Sequence, residues 1–205
     1  DTDTDTDTDT DTDTDTDTSG VSVADIQTEL VVEGDIVTLD GVITTTDVSL
    51  NGSGFFVQDA GGGANSGLYI YLGSVSAPTG IEPGVVLSIT GEVTEYYDLT
   101  ELSISSAADI SITGIGATVT STDLAIAPSD WEPYEGVLVT LDDVTVTDDP
   151  DSYGESMTDW AIALDDMLYE HNAASGTVYD EATGVVNYTY SAFKLEPRSA
   201  DDLIE

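Results

Sequence analysis

The chain reads as all-β: two tandem small β-barrels or sandwiches with an extended N-terminal arm. Three observations predict this. Short runs of alternating apolar and polar residues recur between Gly-rich turns, the second half repeats motifs of the first, and residues 1–18 are nine consecutive Asp-Thr pairs without a large apolar side chain. The divisions that follow are an arm over 1–20, a first β domain over 21–115 and a second over 116–205.

The tract comes first. As a free peptide it is a swollen spacer, because Asp repels Asp and nothing is buried to offset the ordering entropy. As a strand, a period-2 sequence puts every Thr on one face and every Asp on the other, and its length reaches roughly 60 Å at about 3.3 Å per residue. It is therefore a stalk, or an arm that becomes a strand when a neighbouring subunit's sheet edge pairs with it. In the arm reading Thr2, Thr10 and Thr18 face the acceptor, while Asp1, Asp9 and Asp17 face solvent or cations.

Strands follow in order. Asp35–Thr46 alternates, with Ile36, Val37, Leu39, Val42 and Ile43 among Thr, Asp and Gly. Gly54–Asp59 is a second strand, ended by Gly61-Gly62-Gly63, and Leu68–Leu72 is a third, with Tyr69 and Tyr71 opposite its aliphatic face. Pro83-Gly84 turns into Val85–Tyr97, and Leu99–Ile104 continues from there. Five short strands at this spacing predict a small barrel or sandwich. Only Ala24–Leu30 and Ser121–Trp131 look briefly helical, and Pro128 interrupts the second.

Three motifs recur in the same order about a hundred residues later. Gly34–Val42 (GDIVTLDGV) returns as Gly136–Val144 (GVLVTLDDV). Thr90–Tyr97 with Leu102 returns as Thr183–Tyr190 with Leu195, and Ser22–Ile26 resembles Thr120–Leu124. Three matches in register argue for two copies of one domain.

Val42-Ile43-Thr44, Gly54–Asp59 (GFFVQD), Gly67–Tyr71 (GLYIY) and Pro83–Leu102 together resemble the OB-fold domain that accompanies catalytic domains in secreted bacterial nucleases. The second half, through Glu132–Val137, Val144–Thr147 and Tyr190–Asp201, resembles the segment that follows in those proteins. The resemblance implies two OB-like barrels forming the accessory, non-catalytic part.

Charge narrows the function. There are 42 acidic residues against two basic ones, Lys194 and Arg198, for a formal net charge of −40. Such a surface repels nucleic acid, whose affinity comes from Lys and Arg neutralising phosphates. The absence of cysteine excludes disulfides, thiolate zinc sites and iron–sulfur clusters. No apolar run approaches the roughly 20 residues of a membrane-spanning helix. Asp-Thr tracts resemble the stalks of bacterial surface proteins, which implies a secreted or surface-displayed chain.

Candidate sites are few. No nucleophile-elbow sequence accompanies the single histidine, His171, so no catalytic residues and no enzyme activity are expected. Asp148, Asp149, Asp151 and Glu155, around Pro150 and Gly154, can supply the oxygen ligands that Ca2+ prefers; the competing reading is a solvated acidic turn. No other cofactor is implied. Tyr69, Tyr71, Tyr96 and Tyr97, with Trp131, Tyr134, Tyr188 and Tyr190, are a candidate stacking platform for sugars or bases, a polysaccharide before nucleic acid, or else plug the barrels and the seam between the domains. Asn51 and Asn187 begin N-x-Ser/Thr sequons. Lys194 and Arg198, isolated among acids, are expected to contact carboxylates. The expected function is a non-catalytic exported structural protein that self-assembles into a homo-oligomer or fibre by strand addition. The alternative is a stalked accessory module that binds polysaccharide.

Overall fold

The computed structural model describes residues 20–205, so the assembly-arm residues Asp1, Thr2, Asp9, Thr10, Asp17 and Thr18 lie outside the described part. The fold is all-β with two sheets. A five-residue helix, α1 (Val23–Gln27), opens it. Ser22 caps α1: its hydroxyl accepts from the Asp25 amide, and the Asp25 carboxylate accepts from the Ser22 amide, two otherwise orphaned donors satisfied reciprocally. Val23 and Ile26 anchor it in the first core.

The first sheet holds β1 (Ile36–Thr44), β2 (Gly54–Gln58), β3 (Gly67–Tyr71), β4 (Val86–Tyr96), β5 (Leu99–Ser103) and β6 (Ile110–Gly114), in the order β1-β2-β3-β5-β4-β6. β1 also pairs with β4, so the ladder returns to its starting strand, and β3 runs parallel to β5. Gly41, at φ +81°, sits where the β1–β4 register shifts between Asp40 and Val42. This is the bulge that lets one long strand bend and serve two neighbours. The inward residues Val37, Leu39, Val42, Phe55, Leu68, Ile70, Leu87 and Leu102 form the first core.

The second sheet holds β7 (Thr122–Leu124), β8 (Leu138–Thr145), β9 (Ser156–Met157), β10 (Ala163–Leu164), β11 (Val178–Thr189), β12 (Ala192–Glu196) and β13 (Leu203–Ile204). Its order is β7-β8-β11-β12-β10-β9, with β13 on β11. β10 is parallel to β12, and a Val146–Thr158 bridge joins the ends of β8 and β9. Ser121–Trp131, expected to be briefly helical, instead contributes β7, because pairing with β8 satisfies its backbone. The first half has six strands and the second seven, against about five expected in each.

The two halves meet at a packed seam. Phe56, Tyr69 and Leu99 of the first pack with Leu138 and Val185 of the second. Backbone approaches backbone at Gly67 and Gly136: a methyl on Gly67 would lie 2.0 Å from the Gly136 carbonyl carbon. Hydrogen bonds cross the seam from the Asn65 amide to the Pro133 carbonyl (2.6 Å) and from Gln58 Nε2 to the Thr120 carbonyl (2.8 Å). Arg198 Nη1 donates to the Thr45 carbonyl (3.3 Å) while Nη2 holds Asp202 at 2.7 Å. No helix among the described residues is long and apolar enough to cross a membrane.

Candidate functional site

The candidate site grows from two hairpin turns. The β4–β5 turn places Tyr97 and Asp98 at φ +52° and +67°, and the β11–β12 turn places Tyr190 and Ser191 at +53° and +64°. Positive φ at both central residues is the two-residue geometry that normally takes Asn-Gly. A tyrosine held there is strained, and such strain clusters at functional positions. Both turns project beside the seam and line one cavity of about 650 Å3 with Tyr96, Leu99 and Tyr188.

That cavity continues in two directions. Toward the first half, a cavity of about 350 Å3 is walled by Asn51 and Ser53 of the β1–β2 loop, Tyr69 and Tyr71 of β3, and Tyr96 and Glu101. Toward the second, one of about 370 Å3 is walled by Tyr153 and Glu155 of the β8–β9 loop, by Asp165 and Asp166, and by Lys194. Tyr190 and Thr189 line all three, so they form one groove along the seam.

Local packing fixes the groove floor. Gly54 leaves room for the Tyr69 ring, where a Cβ would sit 2.6 Å from the ring carbon bearing the hydroxyl. Phe56 packs beside that ring at 4.9 Å between centroids, and Ser53 Oγ bonds the hydroxyl at 2.7 Å. Burial pushes Tyr69 up to about 12. The rim is exposed: Tyr96, Tyr97 and Tyr190 are 60%, 80% and 94% accessible.

The platform residues named from sequence thus divide. Tyr69, Tyr71 and Tyr96 share the first-half cavity, Tyr69 as floor and the others more open, while Tyr97 lines only the cavity between the turns. Tyr190, one of the aromatics picked out from the sequence, lines the groove throughout, as the end of the same repeated motif as Tyr97. Asn187 and Glu101 complete the groove, and no reading of the sequence assigned these two to it.

Charge concentrates along this groove. Lys194 Nζ is buried between Glu155 Oε1 (2.5 Å) and Asp165 Oδ2 (3.2 Å) and lies 5.4 Å from the Tyr190 ring centre. Burial opposes its charge, but the two carboxylates outweigh burial and hold its pKa above the usual lysine value. Burial, then the Glu95 charge, pushes Glu101 up to about 7. Beneath the seam Glu135 accepts from the Thr100 amide (2.9 Å), yet burial still pushes it up to about 8.

The acidic loop does not converge on a cation. Asp149 accepts from the Ser175 amide, Asp151 accepts from the Tyr153 and Glu155 amides, Asp148 engages Thr147, and Glu155 is taken by Lys194. Among the described residues, no group of three or more His, Cys, Asp or Glu side chains is arranged to hold a metal ion. His171 is buried, with Nδ1 facing the Ala173 amide and its pKa lowered by burial. The Asn187 sequon is buried too, its amide donating to Glu196 (3.0 Å), whereas Asn51 is exposed. Compared with protein-family models, curated proteins and solved structures, the chain shows no match.

Proposed function

We propose that the chain is a non-catalytic, glycan-binding module of an exported protein, built from two copies of an OB-like barrel. The return of β4 to β1, the parallel β3–β5 pair and the matching β8–β13 order support that architecture. OB barrels bind oligonucleotides and oligosaccharides on the second and third strands and the adjoining loops. Here the groove is lined by the β1–β2 loop, β3 and the β4–β5 hairpin of the first unit, and by the β8–β9 loop, the segment after β10 and the β11–β12 hairpin of the second. The observation that carries the reading is this seam groove with exposed tyrosines on both banks. Tyrosine offers a flat apolar face and a polar tip at low entropic cost, which suits sugar rings. The net charge disfavours phosphate polymers.

The test is calorimetric titration with neutral and charged oligosaccharides and with single-stranded DNA. Tyr96→Ala and Tyr190→Ala, at exposed positions, are each expected to weaken glycan binding at least about tenfold, the loss of one stacking contact, with the circular dichroism spectrum unchanged. Absence of binding to any glycan at millimolar concentration, or preferential binding of DNA, contradicts the reading.

One feature favours the other reading, self-assembly by strand addition. β6 pairs with β4 alone among the described residues, leaving an edge able to accept a strand. If the Asp-Thr tract fills it in a neighbouring subunit, deleting residues 1–18 converts assemblies into folded monomers, as measured by light scattering. Unchanged assemblies after deletion rule the arm out.

A further inference from the structure

The groove treats its two halves differently at one register position. β5 and β12 hold equivalent places, aligned by Leu102 and Leu195. The residue before each leucine points to the groove: Lys194 in the second half, Glu101 in the first. Lys194 supplies an ammonium between two carboxylates and beside the Tyr190 ring. Glu101 is 4% exposed, faces the cavity walled by Tyr69, Tyr71 and Tyr96, and its carboxylate, unlike its strand-paired backbone, receives no hydrogen bond from any described residue. The second unit therefore carries a built-in cation against aromatic and carboxylate groups, whereas the first carries those groups without the cation.

We propose that the groove's ligand is an amino sugar polymer, with the ammonium of a glucosamine unit seated against Glu101 among Tyr69, Tyr71 and Tyr96. This rests on the glycan reading and narrows it to a cationic class. Ammonium groups are attracted to tyrosine faces and to carboxylates, most strongly where water is excluded. Asp165, Asp166 and Glu170 extend the same sign of charge along the groove, so uronic-acid and sulfated chains are disfavoured. An ammonium beside Glu101 favours its ionised form, so seating the ligand near neutral pH releases a proton from this carboxyl.

The test compares three probes of β-1,4-linked hexamers, glucosamine, N-acetylglucosamine and glucose, with tetralysine as a fourth, by calorimetry on the full chain at fixed pH and salt. The glucosamine hexamer is expected to bind at least about tenfold tighter than either neutral hexamer. Glu101→Gln should abolish that preference, while Glu33→Gln, the same charge change at an exposed position away from the groove, should preserve it. Equal affinity for the neutral hexamers overturns the amino sugar inference and leaves the glycan reading standing. Absence of binding by all three hexamers overturns both. Equal losses in the two variants, or tetralysine binding as tightly as the glucosamine hexamer, reduce the effect to general polycation attraction and overturn the inference.

Discussion

Replacing Gly136 by alanine is expected to destabilise the fold by about 2–5 kcal/mol, an order-of-magnitude figure that adds overpacking to left-handed backbone strain. The added Cβ would lie 2.5 Å from both the Gly67 carbonyl carbon and the Leu68 nitrogen. Both are backbone atoms of β3, so no side chain can swing aside. Gly136 also sits at φ +71°. The two contributions separate with a control: Gly176, at φ +89°, has nothing within 4 Å of its Cβ position, so Gly176→Ala incurs strain alone. Urea unfolding of both variants checks this, and equal losses would show that the close approach of the two halves carries no energetic weight. Groove geometry should suffer as well, because the contact sets the spacing between its banks.

The fold is also expected to weaken as pH rises. Burial pushes Glu135 up to about 8, against about 4.5 for an ordinary glutamate. The native state therefore keeps a proton that the unfolded chain has already lost. Stability is highest below the unfolded value, falls between about 4.5 and 8, and levels off above the folded value. At about 1.4 kcal/mol per pH unit, Glu135 alone accounts for a loss on the order of 5 kcal/mol. Burial, with the Asp165 charge adding to it, pushes Glu196 up to about 8 as well, and Glu101 goes up to about 7, so both act in the same direction. His171 acts oppositely: its lowered pKa reduces stability as pH falls below the ordinary histidine value. Glu135→Gln should flatten the alkaline limb in urea midpoints measured from pH 5 to 9. An equally steep limb in that variant would place the titrating proton elsewhere.

The strands were legible because their cause is local. Alternation in Asp35–Thr46 follows from a pleat with one buried face, the continuous aromatic and aliphatic runs after Gly54 and Leu68 from strands buried on both faces, and β1–β5 fall where those patterns set them. β6 was missed because Ile110–Gly114 is short and buries only Ile110, although Ile110-Ser111-Ile112-Thr113 alternates, and its strand exists through pairing with β4. β7 was read as helix for a related reason: three residues carry no period, and β8 decides their state. The groove was half legible. Tyr69, Tyr71, Tyr96 and Tyr97 stand out as aromatics in an acidic chain, but which turn faces them across the seam depends on the contact between Gly67 and Gly136, two residues distant in sequence. In the acidic loop, contacts rather than composition decide where the carboxylates go. Composition supplied four carboxylates, while geometry directed them to backbone amides, a threonine and Lys194.

The central claim is that both units contribute to one binding groove, and hydrogen exchange with the glucosamine hexamer tests it most directly. Saturating hexamer is expected to slow amide exchange together in residues 94–101, around the first turn, and in 187–193, around the second, with little change along β6. Protection confined to one turn, or falling on β6 while both turns exchange as in the free protein, would contradict a groove shared across the seam.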